Sequence, residues 1–273
     1  MIQISFHAGG FIDKPLPWVI EHLASLGYDA IELMAGPQAH LRPDEVTPES
    51  LAELKARLAE HGLIPAAINP YTVKPLTNMA QEGGEQEFYR KLIDIAVAVG
   101  APTVNFLSGW VAEGDTLGWR LLIKALRPLL RYAEERGVCM SIHNHEANLL
   151  DAPDKCLLLI ERLGSPNLKV LFDVTNFHIL GCDIPWCVKR LGPHIIHCHL
   201  KGVLGKYPFN HFLVPGEPGD QLDFEAFARA LGEIGYQRAI SVEVFSWMRQ
   251  DKAEIAYRMM SQRLAALGLR EAR

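Results

Sequence analysis

The 273-residue sequence lacks any apolar run near the roughly 18 residues that a membrane-spanning helix needs. We therefore predict no association with a membrane. The first residues also lack the basic stretch and apolar core of a secretory signal, because Ile2–Phe6 already has the composition of a β-strand. From these two absences we expect a cytoplasmic protein.

Cysteine is scarce, and its spacing carries no pairing signal. Five cysteines are present, an odd number, and no two of them have Cys-x-x-Cys spacing. These features argue against a disulfide framework and against a structural zinc site. Cys139 and Cys198 lie inside apolar runs and are interpreted as buried free thiols.

Positive charge is not in excess. The chain has 27 lysine and arginine residues against 32 aspartate and glutamate residues, which gives a net charge of −5. A nucleic-acid surface needs clustered basic residues, so we predict no nucleic-acid partner. The sequence also lacks a glycine-rich phosphate loop, but whether the small-molecule substrate carries a phosphate stays open.

The sequence does contain a regular alternation of strand-like and helix-like segments. The predicted strands are Ile2–Phe6, Asp29–Met34, Leu63–Asn69, Thr103–Leu107, Val138–His143, Lys169–Asp173, Ile195–Leu200 and Ala239–Phe245. The predicted helices are Pro17–Leu26, Pro48–His61, Gln86–Val99, Trp119–Glu135, Pro153–Leu163, Ile184–Leu191, Asp223–Ile234 and Lys252–Leu267, and a glycine soon follows each one. Eight apolar strands that alternate with amphipathic helices predict a (β/α)8 TIM barrel, and we expect one domain over residues 1–273.

Polar residues mark the carboxyl ends of all eight predicted strands, where such barrels carry their active sites. These residues are His7, Glu32, Asn69, Asn105, His143, His145, Asp173, His197, His199 and Glu243. Four consecutive strands end in residues that bind metals, namely His143, Asp173, His199 and Glu243. A carboxylate within an apolar run is costly to bury unless it is paired or bound to a metal. We therefore predict that these four side chains hold one divalent ion.

The predicted ligand set also indicates which metals would suit it. Two imidazoles and two carboxylates favour Mn²⁺, Co²⁺, Zn²⁺ or Fe²⁺ over Mg²⁺ and Ca²⁺, which prefer oxygen ligands alone.

Several motifs in the second half of the chain resemble a known family. Phe172-Asp173, His197-Cys198-His199-Leu200-Lys201-Gly202, the turn Pro215–Gly219 and Ile240–Val244 are similar to segments of the xylose-isomerase-like TIM barrels. That superfamily includes sugar isomerases and epimerases, inosose dehydratases and endonucleases of the AP endonuclease 2 type. The resemblance covers nearly the whole chain and implies a divalent-metal enzyme that acts on a small carbohydrate.

The end of strand five departs from the family pattern. Family members commonly carry a glutamate there, whereas this chain has His143 within His-Asn-His-Glu. Two alternatives stay open: His143 replaces the glutamate as a ligand, or Glu146 reaches back from the following loop. Asn176 stands where many epimerases carry a substrate-binding histidine, and His178 is an alternative for that role.

The resemblance implies proton abstraction next to a carbonyl that a metal polarises, through an enediolate. Glu243, or His145 together with Glu146, is the predicted base. Lys201 is a candidate for stabilising the oxyanion, and a solvated lysine at the barrel mouth is the alternative. Return of the proton gives an epimer or an isomer, whereas loss of a β-hydroxyl gives dehydration.

Further polar and aromatic residues at the strand ends and in the loops are predicted to contact the substrate. The predicted substrate-binding residues are His7, Glu32, Asn69, Asn105, Trp110, Asn176, His178, His197, His211 and Trp247. For the two tryptophans, packing over the barrel is the alternative to stacking on a sugar. The long segment Gly202–Asp220 is predicted to cover the site in part.

Two further functions remain as alternatives to carbohydrate isomerisation. A phosphodiesterase of the endonuclease branch needs additional histidine and aspartate ligands, and asparagines stand at positions 69, 105 and 176 instead. A non-catalytic sugar-binding subunit is the other alternative, since strand five is altered. The sequence leaves open whether the protein forms a homo-oligomer.

Overall fold

The computed structural model describes residues 1–71 and 74–271. Within this part of the chain, eight parallel strands close into a barrel in the spatial order β1-β10-β7-β6-β5-β4-β3-β2. The barrel strands are β1 (Gln3–His7), β2 (Ala30–Ala35), β3 (Ile64–Pro70), β4 (Thr103–Leu107), β5 (Cys139–His143), β6 (Leu168–Asp173), β7 (Ile195–Leu200) and β10 (Ala239–Val242). The predicted (β/α)8 architecture is confirmed.

Helices surround the barrel. They are α1 (Leu16–Leu26), α2 (Pro48–Glu60), α3 (Leu76–Glu82), α4 (Glu85–Val99), α5 (Asp115–Glu135), α6 (Pro153–Leu163), α7 (Val174–Ile179), α8 (Ile184–Leu191), α9 (Phe224–Glu233) and α10 (Lys252–Ala266). Short 3-10 turns span Ala8–Phe11 and Gly192–His194. In the described residues, no helix is both long and apolar enough to cross a membrane.

Local sequence signals explain where several helices begin and end. The Thr47 hydroxyl accepts the backbone N–H of Ser50, whose hydroxyl in turn accepts the N–H of Thr47, and this reciprocal pair starts α2. Asp223 caps α9 in a similar way through the N–H of Ala226. Gly27 ends α1 with φ of 93°, a left-handed conformation that suits glycine.

The barrel interior below the mouth is packed with small polar side chains that bond to one another. The hydroxyl of Ser241 donates to that of Ser5 across 2.9 Å. On the other side, Ser141 lies 2.9 Å from the Thr103 hydroxyl and donates to Asn105 Oδ1 at 2.5 Å. Because its oxygen is occupied in this way, the Asn105 amide nitrogen is left to donate to Glu32 Oε1, at 2.7 Å.

The structure corrects the predicted boundary of the last barrel strand, which ends at Val242 and not at Phe245. The backbone N–H of Glu243 still donates to Leu200 O at 2.9 Å, so this residue remains tied to β7. The residues that follow Glu243 are not part of the barrel sheet.

Other differences lie in elements that the sequence analysis did not predict. α3 and α7 are short helices that follow β3 and β6, and α5 begins at Asp115, four residues earlier than predicted. The predicted cover, Gly202–Asp220, contains an antiparallel hairpin of β8 (Gly202–Leu204) and β9 (His211–Leu213).

Candidate active site

Four candidate ligands converge at the carboxyl ends of consecutive barrel strands. His143 ends β5, Asp173 ends β6, His199 lies one residue before the end of β7, and Glu243 directly follows β10. One ligand atom from each lies within 4.8 Å of the others. Three of the side chains are buried and that of Glu243 is 20% exposed, so the cluster opens toward the mouth on the Glu243 side.

Direct contacts join the four side chains into one network. His143 Nε2 lies 3.1 Å from Asp173 Oδ2, and His199 Nδ1 lies 3.0 Å from Glu243 Oε2. The Lys201 ammonium bridges the two carboxylates, donating at 2.5 Å to Asp173 Oδ2 and at 2.5 Å to Glu243 Oε2. The sequence analysis placed Lys201 at the mouth as a separate group, whereas the structure brings it into the ligand cluster.

Charge and burial fix the protonation of the cluster. Burial lowers the pKa of His143 to about 4 although Asp173 opposes that shift, so the imidazole is neutral at pH 7. Burial alone would raise the pKa of both carboxyls. Because of nearby Lys201, the pKa of Asp173 nevertheless lies below its usual value and that of Glu243 well below it. Both carboxylates are therefore ionised, as metal ligands must be.

His199 is the exception in this network. Burial acts to lower its pKa, but Glu32 and Glu243 on its two sides outweigh burial and raise the pKa to about 10. An imidazole between two carboxylates is favoured as a cation, and a divalent ion on the Glu243 side would supply that positive charge instead.

Glu32 lies next to the ligand cluster, and side chains of three strands, β3, β4 and β7, contact its carboxylate. Asn69 and Asn105 donate to its Oε1 at 2.8 and 2.7 Å. His197 Nε2 and His199 Nε2 lie 3.1 and 2.7 Å from its Oε2. Burial alone would raise the pKa of this fully buried carboxyl, but the two imidazoles hold the pKa well below its usual value. Asn69, Asn105 and His197 were predicted to bind substrate together with Glu32, and in the structure all three face Glu32.

This arrangement leaves one ring nitrogen of His199 facing the candidate ligand cluster. The imidazole faces Glu32 through Nε2 and Glu243 through Nδ1, so Nδ1 is the atom left for an ion. A carboxylate that accepts the second ring N–H of a metal-bound histidine is a common supporting arrangement. Glu32, His197 and His199 also form a second possible ligand group. Because both oxygens of Glu32 already accept two bonds each, we assign Glu32 to positioning.

The side chain of Asn144 and the backbone of Asn176 bond to Asp173 and fix its position. Asn144 Oδ1 accepts the N–H of Asp173 at 2.8 Å, and Asn144 Nδ2 donates to Asp173 O at 3.0 Å. Asp173 Oδ1 accepts the backbone N–H of Asn176 at 2.9 Å and thereby caps α7. Only Oδ2 of Asp173 then faces His143 and Lys201. The sequence analysis missed Asn144, although an asparagine between two histidines at a strand end was a signal for it.

The structure distinguishes between the two candidates for the strand-five ligand. Among the described residues, His143 belongs to the ligand cluster and Glu146 does not. Glu146 Oε2 instead lies 3.0 Å from His145 Nδ1. The His145 side chain is 35% exposed, and its ring centre lies 5.8 Å from that of His143, so it borders the mouth.

The remaining predicted substrate contacts differ in position. Asn176 is buried and donates to Asn144 O at 2.9 Å, so its amide supports the site and does not face the mouth. His7 is buried, with its ring centre 5.5 Å from that of His199. His211 lies in β9, and His178 lies in α7.

Exposed aromatic residues flank the barrel mouth. Trp247 is 76% exposed and stacks on Phe245, with ring centres 5.5 Å apart and planes 5° from parallel. Phe245 in turn contacts Phe212 of the hairpin at 5.9 Å. Trp110, 53% exposed, lies in the loop after β4. Packing over the barrel was the alternative to stacking on a sugar for these two tryptophans. Packing would bury the rings, and their exposed fractions do not fit it.

Comparison with known proteins agrees with this geometry. Residues 20–262 match the family described as "Xylose isomerase-like TIM barrel". A D-psicose 3-epimerase of Enterocloster bolteae is 25% identical over 241 residues, covering 83% of this chain and 75% of that protein. An inosose isomerase of Bacillus velezensis is 24% identical over 231 residues, covering 80% of this chain and 79% of that protein.

Solved structures share the fold over the whole chain. A D-tagatose 3-epimerase-like protein superimposes with a TM-score of 0.82 at 19% identity, covering 97% of this chain and 98% of that one. An L-ribulose 3-epimerase superimposes with a TM-score of 0.78 at 21% identity, with full coverage of both chains. At such identities these likenesses show the barrel and not the reaction.

Proposed function

This chain belongs to the xylose isomerase-like TIM barrels, and from that premise we propose that it is a divalent-metal-dependent isomerase or epimerase of a small keto-sugar. The observation that carries the proposal is the convergence of His143, Asp173, His199 and Glu243 within 4.8 Å at the barrel mouth. The sugar epimerases and isomerases among its relatives support the choice of reaction class.

The four ligands fit an ion such as Mn²⁺, Co²⁺, Zn²⁺ or Fe²⁺. The set combines two nitrogen and two oxygen donors, and both carboxylates are ionised. When bound, such an ion polarises a carbonyl oxygen and acidifies the adjacent C–H bond.

The chain itself supplies the groups that move the proton. Glu243 is the ligand nearest the opening, and its ionised carboxylate is the proposed base on one face of the substrate. His145 borders the mouth beside His143 and is the proposed acid on the other face, with its Nδ1–H donating to the backbone carbonyl of Glu146 at 2.9 Å and so orienting the ring. Transfer between two faces inverts one carbon, whereas return to the neighbouring carbon moves the carbonyl.

The aromatic residues at the mouth are proposed to bind the sugar. Trp247 and Trp110 expose flat faces of the size of a pyranose ring, and the hairpin β8–β9 lies beside Phe245 and Trp247. An apolar face combined with a few fixed polar groups is the usual composition of a small-molecule site.

Deuterium exchange tests the proposed reaction. Keto-sugars and inososes are incubated in D₂O with protein and Mn²⁺, the ion is removed, and proton NMR spectra are recorded. We expect deuterium at a carbon next to the carbonyl of at least one substrate, and no exchange with Asp173→Asn or after chelation. Loss of a β-hydroxyl in the same spectra would indicate dehydration instead. No exchange with any candidate would contradict the proposal and favour a non-catalytic binding role.

A further inference from the structure

Lys201 occupies a position that its predicted role at the mouth does not explain. Its side chain is 4% exposed, and its ammonium bonds to Asp173 Oδ2 and Glu243 Oε2 at 2.5 Å each. Both oxygens belong to residues of the candidate ligand cluster. A lysine is rarely buried to this extent unless it is paired, and here two carboxylates pair it.

Lys201 uses carboxylate oxygens that a divalent ion in the ligand cluster would also use. Oδ1 of Asp173 is occupied by the N–H of Asn176, so Oδ2 is the oxygen that either a lysine or an ion must use. Oε2 of Glu243 is likewise the atom that faces His199. An ammonium and a divalent cation at the same two oxygens would repel one another, which disfavours their binding together.

The backbone of Lys201 is fixed, and its ammonium lies near an aromatic face of the hairpin. Its N–H donates to the Thr175 hydroxyl at 2.9 Å, and that hydroxyl donates back to Lys201 O at 2.7 Å. The ammonium lies 5.4 Å from the ring centre of Phe212 in the hairpin. A rotation of the side chain toward that aromatic face would keep the cation in a favourable environment.

We propose that Lys201 is an internal cation that holds Asp173 and Glu243 together and competes with a divalent ion for them. On ion binding the ammonium turns toward Phe212 at the mouth, where it becomes a donor for a substrate oxygen. This inference rests on the proposed function, since it needs the same four ligands. It assigns Lys201 a positioning role that sets the metal affinity.

Metal binding by charge variants of Lys201 tests this proposal. Calorimetric titration with Mn²⁺ is compared for the wild type, Lys201→Met and Lys201→Arg. Competition predicts that Lys201→Met binds Mn²⁺ at least tenfold more tightly, while Lys201→Arg stays close to the wild type. Lys206→Met, the same change on a more exposed lysine five residues away, should leave the affinity unchanged.

Thermal unfolding gives a second readout. Without added metal, Lys201→Met should melt below the wild type because two buried carboxylates lose their counter-ion. Mn²⁺ should then raise its melting temperature by more than it raises that of the wild type. If Lys201→Met does not fold, Lys201→Gln takes its place in both measurements.

The outcomes separate the two proposals. Binding to Lys201→Met that is equal to or weaker than that of the wild type would overturn the competition, while wild-type binding would leave the proposed function intact. Failure of both the wild type and the variant to bind Mn²⁺, Co²⁺ or Zn²⁺ would overturn both.

Discussion

Glu32 shows how a single buried residue organises the centre of this barrel. Its two oxygens accept from amides on β3 and β4 and face two imidazoles on β7, so one carboxylate contacts side chains of three barrel strands. Through His199 it also determines which ring nitrogen is available for an ion. We therefore expect Glu32 to affect metal binding without being a ligand itself.

The variant Glu32→Gln tests this positioning role. An amide in place of Oε2 offers N–H groups to His197 and His199, which forces Nε2 of His199 to accept and shifts its proton to Nδ1. We expect Mn²⁺ affinity to fall by roughly 10- to 100-fold, as for other partners of metal-bound histidines. Calorimetric titration measures the change, with Glu53→Gln on the exposed face of α2 as the control. Unchanged affinity would show that Glu32 is only a core residue.

At the residue scale, the sequence predicted which side chains could bind a metal. It predicted less well which side chains contact one another. Its strand-end pattern located His143, Asp173, His199 and Glu243, and the structure brings these four together. It also predicted that Asn69, Asn105 and His197 face a substrate. That assignment depended on a long-range partner, Glu32, whose contacts no local pattern can reveal.

At the scale of secondary-structure elements, the ends of β5 and β6 are joined by side chains as well as by the sheet. Asn144 makes two hydrogen bonds to the backbone of Asp173 just where the ladder between these strands ends. Asp173 then begins α7 as its N-cap. Through these contacts, the position of β5 helps to determine the position of Asp173, the candidate metal ligand at the end of β6.

Removal of the Asn144 side chain should therefore weaken both the fold and the site. Asn144→Ala leaves the buried N–H of Asp173 without its partner and removes one of the bonds to its carbonyl, which costs on the order of 1–3 kcal/mol of unfolding free energy. Chemical denaturation measures that loss, and titration with Mn²⁺ should show weaker binding. Asn210→Ala in the β8–β9 loop is the matched control. A variant as stable as the control would mean that Asn144 does not hold β6.

A second contact between elements involves His40, in the loop after β2. Its Nε2–H donates to Phe11 O at 3.2 Å and Lys14 O at 3.0 Å, and among the described residues its buried Nδ1 has no partner. Burial outweighs these bonds and lowers the pKa of His40 below its usual value. The folded protein therefore favours the neutral imidazole.

This shift predicts a loss of stability in acid. Because the folded pKa is lower than the unfolded one, the unfolded chain takes up the proton first, and stability falls as the pH drops below about 6.5. His40→Gln retains an N–H donor and removes the titration, so it should lose less stability than the wild type between pH 7 and pH 5. Melting temperatures across this range provide the measurement. Parallel curves for the two proteins would contradict the assignment.

Element prediction succeeded where periodicity was strong and failed where the segments were short. The eight barrel strands were found because each is a near-continuous apolar run. α7 was missed because its six residues follow β6 without a break, and Asp173 serves as strand end and helix cap at once. The hairpin β8–β9 has three residues in each strand, too few to show an alternating pattern.

At the scale of the whole molecule, barrel closure brings distant parts of the sequence to one mouth. β1 pairs with both β2 and β10, so Glu32 and Glu243 belong to the same ring of strand ends. A linear sequence predicts that eight strands exist and end in polar residues. It does not predict the stagger that places Glu32 next to the ligand cluster, because that depends on closure of the barrel.

Anomalous X-ray diffraction from crystals grown with Mn²⁺ tests the central claim most directly. The account predicts one strong anomalous peak per chain, bounded by His143, Asp173, His199 Nδ1 and Glu243, with the Lys201 ammonium turned away. A principal peak elsewhere, such as between Glu32 and His197, or crystals with Lys201 still bridging Asp173 and Glu243 and no peak at the mouth, would contradict it.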